Sequence, residues 1–176
     1  MFSTLTPTRL RSIVLTVSFL TWTLFKVNAQ QPQPYPRTTG YFAVLQPIGS
    51  WNRHGFTDSF SDIHFIGFPF GMNILKSDNF GISFEVVPSI RTEHGISKVN
   101  SVLFHPGAMF RFKHGFTFIG RAAFETNGRF GLTPVVNQVL VKGKHANMYV
   151  AMPFPIRFGN DLPASIGTGV QVGIGF

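Results

Sequence analysis

ASIGTGVQVGIGF, residues 164–176, ends the chain and alternates without a break. Ile166, Thr168, Val170, Val172, Ile174 and Phe176 share one side, and Ser165, Gly167, Gly169, Gln171, Gly173 and Gly175 share the other. Side chains of a strand point alternately to opposite faces, so one face here is apolar and the other small or polar. That is the alternation of a strand that spans a bilayer within a closed sheet. No helix signal follows the glycines, which removes a phosphate loop or dinucleotide fingerprint and leaves a crowded interior wall as their explanation.

At the other end, Arg9 and Arg11 precede an apolar run over 13–25 and the small-residue site Val27-Asn28-Ala29. A positive region, a short apolar region and a small-residue site predict a cleavable signal peptide over 1–29. The run falls short of the ~20 apolar residues of a spanning helix. Lys26, beside the cleavage site, keeps an uncleaved anchor as the alternative. Without the leader, three of the 15 basic residues go and 12 remain against 7 acidic ones. These cations are scattered and form no run, so nucleic acid is not expected as a partner. The chain has no cysteine, which excludes thiolate chemistry and a disulfide scaffold. Residues 30–176 hold no apolar segment long enough for a spanning helix. If integral, this part must be a closed barrel, because only helices and barrels satisfy their backbone within lipid.

Residues 30–39 contain Pro32, Pro34 and Pro36 among polar residues and predict an extended tail, with the barrel occupying 40–176. Eight strand-like segments follow: 40–47, 62–75, 80–91, 99–112, 116–126, 130–141, 146–158 and the terminal one. In the third, Phe80, Ile82, Phe84, Val86, Pro88 and Ile90 oppose Gly81, Ser83, Glu85, Val87, Ser89 and Arg91. Charges alternating with Phe and Ile are costly toward lipid, so Glu85 and Arg91 are expected to face inward. The same parity turns His105 and Arg111, then Arg121 and Glu125, then Tyr149 and Arg157 inward. The facing of the first and sixth segments stays open. Turns at 77–79, 114–115 and 143–144 are tight, whereas 48–61 reads as the longest loop. Its Trp51, Phe56 and Phe60 suit an interfacial girdle better than a recognition site. Pro69, Pro88, Pro106, Pro134, Pro153 and Pro155 fall inside strands and count against the assignment, since a closed sheet has no free edge.

The pattern over 40–176 resembles the small outer-membrane β-barrels of the OmpA and OmpX type, most specifically in the terminal strand. There Val170, Val172, Ile174 and Phe176 look like the C-terminal signal recognised by the barrel-assembly machinery. The resemblance implies an all-β, eight-stranded antiparallel transmembrane up-and-down barrel in the outer membrane of a diderm bacterium. It also implies a monomer, outer-membrane lipid and lipopolysaccharide as surroundings, and roles in anchoring, surface interaction or, in some relatives, lipid A modification.

Hairpin pairing sets one geometric expectation. If Arg91 lies opposite Val99, Glu85 lies opposite His105; if His114 lies opposite Phe116, His105 lies opposite Glu125. A Glu85, His105, Glu125 row could serve as an acid/base pair or part of a metal site. It could equally belong to a lumen charge network with Arg91, Arg111, Arg121 and Arg157. Eight strands enclose a space just wide enough for side chains, and buried charges must be paired, so the structural lock is favoured. A deacylase-like His-x-Ser is missing, because Gly107 stands two residues after His105. No His has metal-ligand spacing with another, and no cofactor is expected. The expectation is therefore a non-enzymatic outer-membrane barrel with a structural or surface-interaction role. The alternatives are an outer-membrane lipid-modifying enzyme and a soluble lipocalin-like ligand binder. In the latter, Phe84, Phe110 and Phe118 would point inward.

Overall fold

The computed structural model describes residues 34–60 and 63–176. The expected signal peptide lies outside the described residues. Those described form an antiparallel sheet of eleven strands: β1 (Arg37–Asn52), β2 (Gly55–Asp58), β3 (Ile63–Gly67), β4 (Phe70–Leu75), β5 (Phe80–Glu93), β6 (Ile96–Arg111), β7 (Phe116–Glu125), β8 (Phe130–Lys142), β9 (Asn147–Pro153), β10 (Ile156–Phe158) and β11 (Ser165–Gly175). The only helical turn among them is a 3-10 turn at Lys113–Gly115.

Pairing runs in a closed circuit. Apart from β2–β3, β3–β4 and β9–β10, neighbours along the chain pair as hairpins, and β11 returns to β1 with Tyr41 opposite Gly175 and Asn52 opposite Ser165. Strands β3 and β4 follow one another between β1 and β5, as do β9 and β10 between β8 and β11. The expected segments 62–75 and 146–158 are thus each broken, at Phe68-Pro69 and at Phe154-Pro155. Proline cannot donate to a ladder but can still accept. Ala43 donates to the Pro69 carbonyl at 2.8 Å, Phe68 to Pro88 at 3.0 Å, Phe154 to Pro134 at 2.8 Å and Gly167 to Pro155 at 2.8 Å. Each of these prolines keeps a cross-strand bond through its carbonyl, which is how the wall accommodates them. At Pro106 the β6–β7 ladder is interrupted over His105 and Pro106 and resumes in the same register, Phe104 opposite Phe124 and Gly107 opposite Arg121.

Three boundaries differ from the sequence expectation. The tail does not reach residue 39: Arg37, Thr38 and Thr39 already pair with Leu75, Ile74 and Asn73, prolonging an alternation that two β-branched threonines suit. The segment 48–61 is not an open loop. β1 runs on to Asn52 and turns back into β2, with Trp51 opposite Phe56 and their rings 4.6 Å apart. The Asn52 side chain accepts the His54 N–H at 2.7 Å, and Gly55 takes φ +113°, so this reversal is an Asx-type turn. Likewise β5 and β6 continue up to Glu93 opposite Ile96 through a two-residue turn, His94-Gly95, with both residues at positive φ.

Facing follows parity. In β11, Gly167, Gly169, Gln171 and Gly173 are buried while Ile166, Val172 and Ile174 are exposed. A Cβ on Gly173 would lie 2.6 Å from the Tyr149 ring and 2.7 Å from Ala43, so the small face of the terminal strand is what lets that tyrosine pack inside. The apolar interior core, Tyr41, Ala43, Leu75, Met109, Ile119, Val135, Tyr149 and Ala151, gathers toward the end that carries the turns at 76–79, 112–116 and 143–146. Outward, register aligns phenylalanines in rows, Phe80, Phe110 and Phe118 in one and Phe104, Phe124, Phe130 and Phe158 in another.

Candidate functional site

Midway along the interior, side chains from five strands meet. Glu85 on β5 faces inward and lies directly opposite His105 on β6. Arg121 on β7 reaches across, its stem running over Gly107, where a Cβ would come within 2.7 Å of Arg121 Cγ and 2.3 Å of the Gly120 carbonyl. Tyr41 arrives from β1 and Thr133 from β8. All five are buried, with Glu85, His105 and Arg121 each at 4% exposure.

Glu85 Oε1 accepts from Arg121 Nη1 at 3.0 Å and faces His105 Nδ1 at 3.0 Å, while Oε2 accepts the Tyr41 hydroxyl at 2.9 Å. Arg121 Nη2 donates to Tyr41 at 2.9 Å and to Ser83 at 3.0 Å. On its far side, His105 Nε2 lies 2.9 Å from Thr133 Oγ1, which accepts Arg157 Nη1 at 3.0 Å. One tautomer satisfies this chain: Nδ1–H donates to Glu85, and Nε2 accepts the Thr133 hydroxyl, whose lone pair is taken by Arg157. With the imidazole neutral, Glu85 balances Arg121. The next pair balances too, Arg157 Nε donating to Glu125 at 2.7 Å and its Nη1 to the Leu132 and Ile156 carbonyls. The interior thus holds two compensated ion pairs joined through His105 and Thr133, the arrangement a low-dielectric enclosure requires.

Glu85, His105 and Arg121 come together as expected, with Arg157 and Glu125 adjoining. The expected Glu, His, Glu row does not form. Phe112 N bonds the Phe116 carbonyl at 2.8 Å around the 3-10 turn, which centres the β6–β7 hairpin on His114 and puts Glu125 opposite Leu103. Two further expected members lie elsewhere. Arg91 pairs with Glu93 at 2.8 Å, both about one-third exposed, a pair worth little to stability. Arg111 lines a cavity of about 180 Å³ at the turn end, shared with Asn73, Asn137 and Tyr149, and makes no ion pair among the described residues. Tyr41 and Thr133 were missed because the facing of their strands was open; parity inherited from their neighbours would have placed both inside. Ser83, on the inward face expected for its strand, receives Arg121 Nη2.

Glu85, His105 and Thr133 form a carboxylate, imidazole, hydroxyl row of the kind that activates a nucleophile. Here the hydroxyl is 1% exposed and held by Arg157, and the cavity that adjoins it, about 70 Å³ and shared with Glu85, His105 and Arg121, has room for water but not for a lipid substrate. Among the described residues no cluster of three or more His, Cys, Asp or Glu could hold a metal.

No family model matches the chain, and no curated protein matches it. Among solved structures it is similar to the solution NMR structure of a de novo designed protein, TMB2.3, at 12% identity and a TM-score of 0.48, covering 82% of this chain and 96% of that one.

Proposed function

We propose that this chain is an integral outer-membrane β-barrel of eight staves with a closed, side-chain-filled lumen, serving a structural or surface-interaction role. The staves are β1, β3 with β4, β5, β6, β7, β8, β9 with β10, and β11, while β2 is a hairpin arm. One observation carries this: on a closed circuit of paired strands, the inward charges are buried and mutually paired while most of the large apolar residues look out. Phe84, Phe110 and Phe118 are 45%, 44% and 38% exposed, the reverse of a soluble barrel that keeps its apolar residues for a ligand. The Glu85–Arg121 and Glu125–Arg157 pairs fill the lumen as a lock, and the enclosed Thr133 favours a non-catalytic role. In this role the barrel is a monomer of the OmpA and OmpX type.

The experiment has two arms. Purified chain is expected to need detergent for solubility and to run at different gel positions boiled and unboiled; a detergent-free soluble monomer with one mobility sinks the membrane assignment. Lipid A from cells expressing wild type or His105→Ala is expected to have one and the same mass profile, and a wild-type-specific acyl change would make the chain an enzyme.

Val170, Val172, Ile174 and Phe176 are assigned to recognition by the assembly machinery, supported by their outward placement on the strand that closes the circuit. Phe176→Ser is expected to lower folded protein in cells several-fold while leaving refolding from urea into vesicles nearly unchanged. Equal losses in both settings would reduce Phe176 to a packing residue against Gly40.

A further inference from the structure

The charge of residues 30–176 is unevenly placed. Six cations, Arg37, Lys76, Arg111, Lys113, Lys142 and Lys144, lie at the turn end with one acidic residue, Asp78; the remaining six cations and six acids cancel. Among the described residues most of the cation excess therefore sits on one rim, six against one.

Pairing sharpens the asymmetry. Away from this rim four of six cations are partnered, Arg121 and Arg157 by Glu85 and Glu125, Arg91 by Glu93, and Arg129 by the Arg157 and Pro163 carbonyls and Ser165, whereas Arg53 and Lys98 are exposed and form no ion pair among the described residues. At the rim Asp78 accepts the Tyr35 hydroxyl, a bond that raises the Tyr35 pKa above the ordinary tyrosine value. Lys76, Lys113, Lys142 and Lys144 are exposed and form no ion pair among the described residues. Just inside them, paired rings face outward, Phe80 with Phe110 at 5.5 Å and Phe112 with Phe116 at 5.6 Å. Rings at the edge of the apolar band beneath long, unpaired lysines are what a headgroup layer fits: the rings meet acyl chains and the amines extend to phosphates.

We infer that the turn-end rim binds the headgroups of anionic glycerophospholipids in the leaflet it faces. This rests on the membrane-spanning assignment above. Four amines spread over three turns, with Arg111 behind them, make a ring for several phosphates.

The test is spin-label lipid selectivity on the full chain refolded into phosphatidylcholine vesicles, comparing labelled phosphatidylglycerol with labelled phosphatidylcholine. Wild type is expected to enrich phosphatidylglycerol several-fold at low salt and to lose the preference at high salt. The quadruple variant K76Q/K113Q/K142Q/K144Q is expected to show none, with its heat-modifiable mobility intact. A folded wild type without preference, or a quadruple variant that keeps it, overturns the rim assignment alone. A chain that does not insert overturns the membrane assignment and this inference with it.

Discussion

Arg121→Met is expected to destabilise the protein by about 3–5 kcal/mol, the range for stripping one partner from a buried ion pair. The cause lies in what remains. Glu85, 2% exposed at its side chain, would keep His105 and Tyr41 but lose the one permanent cation beside it, and Ser83 would lose its donor. Removing both charges should behave differently. In Glu85→Gln with Arg121→Met no unpaired ion is enclosed, and the double variant is expected to recover most of the loss, giving a large coupling in a double-mutant cycle. Urea unfolding in vesicles measures all four corners. A single variant within ~1 kcal/mol of wild type, or a double whose loss equals the two singles added, would mean that the lumen is hydrated enough to screen the pair and is no lock.

Why the sequence yields half of this site and not the rest comes down to parity. Each inward side chain must stay inward, which forbids register slips of one residue but is blind to slips of two. Glu85 was placed opposite His105 from an anchor, Arg91 with Val99, that is itself a residue off. Arg91 lies opposite Lys98, and a bulge at Asn100 restores the register below it. The bulge cancels that error. On the next hairpin the 3-10 turn at Lys113–Gly115 shifts the pairing by two, parity cannot detect it, and Glu125 was sent to His105 rather than to Arg157. Strands β1 and β8 escaped for another reason. Over 40–47 and 130–141 inward and outward positions are both largely apolar and uncharged, as with Val135 beside Val136, so no charge marks a side and Tyr41 and Thr133 carry no signal. Backbone reversals driven by one side-chain bond, such as Asn52 to His54, are likewise invisible to a hydrophobic period, and they decide whether 48–61 is a loop or a hairpin.

Whether the outward phenylalanines face lipid or water is separable by a single charge. Phe84, between the two phenylalanine rows on β5, lies opposite Met72 on one neighbour and Pro106 on the other, all on the outer face. In a bilayer, Phe84→Arg is expected to cost about 2–4 kcal/mol, the penalty for a cation on the lipid face of a barrel near the midplane. On a water-facing wall the same change would leave the lumen pairs untouched and stay within about 0.5 kcal/mol, as surface substitutions usually do. Ile96→Arg supplies the control. Ile96 is 72% exposed at the tip of the β5–β6 hairpin, beyond the last phenylalanine row, and is expected to change stability by no more than about 1 kcal/mol in either setting. Because both variants add the same side chain to hairpin partners in one protein, differences in propensity and net charge largely cancel, and the gap between them reports depth. Urea titrations in phosphatidylcholine vesicles that place Phe84→Arg and Ile96→Arg at the same midpoint would turn the outer face from lipid to water, and would take the headgroup role of the lysine rim with it.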